Sequence, residues 1–244
     1  MSDPWVAYIV VGLAIAMIAI LGIGLMSLAR KTVEVEAKVG AGAGAGVHKL
    51  STTNAQTNMH DLNHSNNERY GSFIRGELRA SHAGETGAVW IYRGILLVNR
   101  LKRDPDIKTF ALHHLATEKY HLIQFENIIH RFRGSALLFI WALAGFTMGA
   151  LSMMLGRNWV YFTIYKVESF VDIHYKQQIQ ALSKIEFFCK PEIIEMMKTC
   201  NIDEQAHRDE ALNAINGEPT KAMRVWGRLV ASGSSCAVAV AKRL

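Results

Sequence analysis

From Ser72 onward, apolar residues return at helical spacing almost without a break and no stretch alternates as a strand would, so this part of the chain reads as all-α. Breaks divide it into six expected helices. The first runs from Ser72 to about Leu101, before Asp104-Pro105, and the second from Asp106 to Arg133, before Gly134. A third, strongly apolar segment covers Leu137 to Leu155, ahead of Gly156. The fourth runs from Trp159 to Phe188, the fifth from Pro191 to Asn216-Gly217, and the sixth from Thr220 to Arg243. Six helices with such short connections pack as a bundle.

Carboxylates on the apolar faces narrow the chemistry, because burying an unpaired carboxylate is costly and demands a partner. Glu85 falls within the inward stripe Leu78, His82, Val89, Tyr92 and Leu96 of the first helix. Glu118, Glu168 and Glu204 hold the same place in the second, fourth and fifth. Two of these are followed one turn later by histidine, in Glu118-Lys119-Tyr120-His121 and Glu204-Gln205-Ala206-His207, so each carboxylate shares a helix face with an imidazole. A single such pair is weak evidence, since 14 Glu and 10 His give roughly 0.6 pairs by chance. The order of lone Glu, pair, lone Glu, pair on long helices is far more specific. It is the inventory of a ferritin-like di-iron site, with Glu85, Glu118, His121, Glu168, Glu204 and His207 as the metal ligands. The bland alternative is exposed glutamates and satisfied core histidines. His174, Tyr175 and Asp203 are candidates for orienting those ligands or relaying protons, with Asp172 and His82 weaker ones.

The N-terminal part has a different composition. Trp5 to Ala29 carries no charge for 25 residues, about 37 Å of helix, enough to span a bilayer core of about 30 Å. Arg30 and Lys31 follow directly and only Asp3 precedes it, which puts the bundle on the cytoplasmic or mitochondrial matrix side. Residues 40–46 alternate Gly and Ala, and a polar stretch containing His48, His60 and His64 continues to Asn67, a linker by composition. The expected division is a transmembrane anchor over 1–31, a linker over 32–71 and the bundle over 72–244. The uncharged third segment fits a membrane-dipping hairpin with the start of the fourth helix.

The net charge of +6 comes from basic residues spread along the chain, which suits an acidic lipid surface and offers no nucleic-acid footprint. Cys189, Cys200 and Cys236 lack metal-binding spacing and read as buried small residues.

The run Leu78-Arg79-Ala80-Ser81-His82-Ala83-Gly84-Glu85-Thr86-Gly87-Ala88 resembles the His-Ala-Gly-Glu signature of the demethoxyubiquinone hydroxylases, membrane-bound di-iron monooxygenases of ubiquinone biosynthesis. The likeness continues through Glu118 to His121, Trp141, Gly145-Phe146, Val167-Glu168, His174-Tyr175, Asp203 to His207 and the terminal Arg243-Leu244. It implies the same six iron ligands, two Fe ions, NADH as electron donor and ring hydroxylation of a polyprenyl quinone. It also implies a lipid-binding protein that presents the quinone, in the mitochondrial inner membrane facing the matrix or on the cytoplasmic face of a bacterial inner membrane. Ser169, Thr86 and Ser81 stand where the family commonly has Glu, Tyr and Asp, and the third segment lacks the family's prolines. Those departures and the added span leave two alternatives: an accessory subunit of a large respiratory membrane complex, and a quinol-oxidising enzyme like the alternative oxidases.

Overall fold

The structure, a computed structural model, describes residues 54–130, 134–185 and 188–244. The expected span over 5–29 and the Gly-Ala run lie outside them. Six helices are present among the described residues: α1 (Asn54–Lys102), α2 (Pro105–Ile129), α3 (Leu138–Leu155), α4 (Arg157–Ser183), α5 (Pro191–Asn213) and α6 (Lys221–Ala241). α1 packs on α2, α3 and α6, while α4 packs on α5, α6 and α3.

One boundary departs strongly from expectation. α1 starts at Asn54, so residues 54–71, expected as linker, are helical. Polar residues cannot supply the apolar periodicity on which the reading rested, yet no Gly or Pro interrupts the chain between Val47 and Tyr70. α4 ends at Ser183, five residues before the expected Phe188.

Local chemistry sets the turns. Asp104 caps α2 by accepting from the Asp106 and Ile107 amides, each at 3.1 Å, with Pro105 in the first turn. Asn99 closes the same loop, donating to the Asp104 carbonyl at 2.9 Å and accepting from its amide at 3.0 Å. Arg157 then forks onto Asp104 through Nε and Nη2, both at 2.9 Å, tying the start of α4 to this corner. Gly156, at φ +122°, makes the reversal between α3 and α4 in backbone space that favours glycine.

α3 and α1 touch backbone to backbone. A Cβ at Gly145 would run into the Gly87 carbonyl, and one at Gly149 into the Ile91 carbonyl. Among the described residues α3 is the one helix long and apolar enough to cross a membrane by length and composition, with a mean hydropathy of 1.8. It leaves Phe139, Leu143 and Met154 exposed.

The core has two main parts. Tyr92, Ile95, Ile107, Val160, Ile164 and Trp226 fill one end, and Leu78, Phe125, Tyr175, Leu182 and Met197 the other. Each such fully buried side chain contributes about 1.5–3 kcal/mol relative to exposure. By position on α1, α2, α4 and α5, the layer between these clusters holds the carboxylates.

Candidate metal centre

Glu85 on α1, Glu118 on α2, Glu168 on α4 and Glu204 on α5 are 3%, 0%, 2% and 1% exposed. His121 and His207, one turn beyond their glutamates, are buried in the same layer. The donor atoms form two overlapping sets. Glu85, Glu118, His121 and Glu204 bring one atom each within 4.8 Å of one another, and so do Glu118, Glu168, Glu204 and His207. Glu118 and Glu204 belong to both. All six residues singled out in the sequence therefore converge on one place.

The arrangement fits two cations and fits poorly without them. Glu85 Oε2, both oxygens of Glu118, Glu204 Oε2 and His207 Nδ1 are buried with no hydrogen-bond partner. Another buried glutamate shows the contrast. Glu77, 4% exposed on α1, is paired with Lys242 Nζ at 2.7 Å and accepts from Gln178 Nε2 at 3.0 Å. α1 thus buries two glutamates rather than the expected one, and only Glu77 has a lysine or arginine partner. Both imidazoles aim Nδ1 inward: His121 Nδ1 lies 3.2 Å from Glu204 Oε1 and 3.7 Å from Glu85 Oε2, and His207 Nδ1 lies 3.2 Å from Glu118 Oε1.

Protonation follows from this crowding. Burial, reinforced by neighbouring carboxylates, pushes Glu168 well above the ordinary carboxylate range; burial also raises Glu85 and Glu118, opposed by the histidines. Burial works the same way on Glu204, but the neighbouring imidazoles of His121 and His207 outweigh it and bring this carboxyl down to about 2. Burial disfavours the charged form of His207, yet Glu118 and Glu204 carry it up to about 9. Such a cluster traps protons when stripped, and divalent ions displace them.

A supporting layer surrounds the donors. Asp203 Oδ2 meets His121 Nε2 at 3.0 Å, leaving Nδ1 to the centre, and Tyr175 donates to Glu85 Oε1 at 2.5 Å. His174 makes no such contact. It stands in the wall of an adjoining cavity, and burial and Lys242 hold its imidazole down to about 4. Asp172 pairs instead with Arg208 at 2.6 Å and Lys176 at 2.8 Å. His82 bonds none of the core carboxylates, and its Nδ1 has no partner.

Two participants escaped the sequence reading. Tyr92 donates to Glu168 Oε1 at 3.4 Å, and His114 stacks on His207 with ring centroids 4.0 Å apart. His114 lies four residues before Glu118 on the same face of α2, a signal that spacing alone contained. Burial, His207 and His113 pull it down to about 2, which keeps it neutral. Cys200, read as inert core, lies against His121; burial raises its thiol. Cys189 is also buried, whereas Cys236 is partly exposed.

Beside the donors lies a cavity of about 240 Å³ between α1, α3, α4 and α6, bounded mainly by apolar side chains such as Ile91, Trp141, Val171 and Val230, with the four core glutamates in its wall. The family described as "Ubiquinone biosynthesis protein COQ7" matches residues 72–241. The chain belongs to this family. Among relatives of the COQ7 family, the 3-demethoxyubiquinol 3-hydroxylase of Rhodospirillum rubrum is 32% identical over 170 residues, 68% of this chain and 76% of that protein. The "NADPH-dependent 3-demethoxyubiquinone 3-hydroxylase, mitochondrial" of Rattus norvegicus is 30% identical over 169 residues, with the same shares. Its counterpart in Homo sapiens is 29% identical over 170 residues. The mammalian names specify NADPH where the resemblance implied NADH.

Proposed function

We propose that this chain is a ferritin-like di-iron monooxygenase that hydroxylates the ring of demethoxyubiquinone in ubiquinone biosynthesis. The observation that carries this reading is the pair of donor sets sharing Glu118 and Glu204, bordering an apolar cavity. One irons' set would be Glu85 with His121, the other Glu168 with His207, with Glu118 and Glu204 between them. When bound, the two irons supply the activation of oxygen that hydroxylation requires. One oxygen atom enters the ring C–H bond; the other leaves as water, using two electrons from a reduced nicotinamide nucleotide, NADPH in the mammalian relatives' names, and two protons.

The protein's own part is geometric. Asp203 fixes which nitrogen of His121 faces inward, Tyr175 steadies Glu85, and Tyr92 steadies Glu168. Ile91, Trp141 and Val171 exclude water and offer the quinone ring an apolar seat. The polyprenyl tail leaves toward the bilayer, which the exposed Phe139 and Leu143 of α3 would enter. The names of the mammalian relatives support a mitochondrial setting, and the site we propose within it is the inner membrane, or a bacterial inner membrane, with the bundle on the matrix or cytoplasmic side. A lipid-binding protein presents the quinone.

A purely docking subunit has no use for the core, since apolar replacement of a buried ionic cluster is often at least as stable. Complementation tests the reading. In cells lacking their own hydroxylase, the chain restores ubiquinone and a Glu168→Ala version does not; no restoration by correctly targeted, iron-loaded protein would refute it.

A further inference from the structure

A second, smaller cluster of metal-binding side chains lies outside the core. His113 and His114 on α2 and Glu210 on α5 bring His113 Nδ1, His114 Nε2 and a Glu210 oxygen within 4.8 Å of one another. Glu210 Oε2 stands 3.0 Å from His114 Nε2 and 4.0 Å from His113 Nδ1. His113 and Glu210 are 69% and 49% exposed, whereas His114 is wholly buried. We propose that these three residues form a third cation site, at the protein surface, for a divalent ion of imidazole and carboxylate preference such as Zn²⁺.

The donor set is right for such an ion. Two imidazoles and one carboxylate on packed helices supply three ligands and leave a coordination position to solvent. Hydrogen-bond accounting points the same way. A neutral imidazole has one N–H and one lone pair. His114 Nδ1 faces the Tyr92 hydroxyl at 3.1 Å, and that hydroxyl donates onward to Glu168. When that bond to Glu168 is kept, the hydroxyl accepts from Nδ1–H and the Nε2 lone pair is turned toward the Glu210 carboxylate, which is the tautomer a cation at Nε2 requires. Two acceptors facing each other repel, and a cation bound between them completes the row. With the proton on Nε2 instead, Tyr92 must turn its hydrogen to His114 and release Glu168.

The site has two consequences. A bound ion clamps α2 to α5, and it holds His114, whose ring lies flat on His207 with 24° between the planes. Its three donors are distinct from the six of the core. His113 and Glu210 are exposed, so replacing either leaves the packed interior alone.

The test is Zn²⁺ bound per chain at fixed free Zn²⁺, measured on the metal-stripped full-length protein and on His113→Ala and Glu210→Gln variants. Each variant should hold about one ion fewer than the wild type, and the rise in melting temperature on adding Zn²⁺ should shrink in step. Equal counts in all three proteins would overturn the site and leave His114 and Glu210 as an ordinary hydrogen bond. So would a loss of more than one ion per chain, which would tie Glu210 to the core. If the wild type holds a single ion and the variants none, the surface site stands and the two-ion reading of the core fails.

Discussion

Tyr175 donates its hydroxyl to Glu85 across 2.5 Å, joining α4 to α1 at a carboxylate whose second oxygen has no hydrogen-bond partner. The tyrosine thereby fixes which oxygen remains for a cation. Tyr175→Phe keeps the ring and removes only this restraint. Iron affinity or turnover should fall by about 10–100-fold, as is typical when a ligand's supporting bond is lost. Calorimetric metal titration checks this; unchanged affinity and turnover would mean that the bond does not position Glu85.

Glu118 belongs to both donor sets and His121 to one. The Glu118→Ala/His121→Ala double variant should lose its iron while far-UV circular dichroism retains the wild-type helix signal, because the apolar clusters on either side of the layer remain. Retention of two irons per chain would contradict the ligand assignment.

Burial, with Lys242 nearby, holds His174 at about 4, below the ordinary value of 6.5. Below pH 6.5 the unfolded chain takes up this proton while the folded one refuses it. The histidine's contribution to stability is therefore complete above pH 6.5 and lost as pH falls to about 4. It is of the order of 3 kcal/mol. Denaturant titrations across pH 4–7 should show His174→Phe with a shallower acid limb than the wild type; parallel curves would place His174 in water.

Gly145 sits so close to Gly87 that a Cβ meets its carbonyl, whereas a Cβ at Gly233 meets nothing within 4 Å. Gly145→Ala must push α3 from α1 and should cost about 1–3 kcal/mol or more. Gly233→Ala, inside α6, should stabilise by about 0.4–1 kcal/mol. Thermal unfolding separates them, and equal melting temperatures would contradict the close helix contact.

The legible part of this molecule was periodic. Glu118 with His121 and Glu204 with His207 declared their shared faces through three-residue spacing, the helix start at Pro191 followed from proline's fixed φ, and the expected start at Asp106 fell one residue after the observed one at Pro105. What spacing within one helix cannot carry is the partner on another. Glu77 did not stand out because its cation, Lys242, lies 165 positions away. The role of His114 was hidden for the same reason, as it depends on His207, Tyr92 and Glu210. Gly145 and Gly149 were visible, but the backbone they touch was not. The polar start of α1 had no apolar stripe to reveal it.

The central claim is that this core and its cavity hydroxylate a quinone ring. The direct measurement is mass spectrometry of demethoxyubiquinone after incubation under ¹⁸O₂ with iron-loaded protein and reduced nicotinamide nucleotide. The account predicts a product heavier by a single ¹⁸O on the ring, absent from the Glu168→Ala variant. Oxygen consumption with the quinone unlabelled, or no turnover by protein that carries its iron, would contradict it.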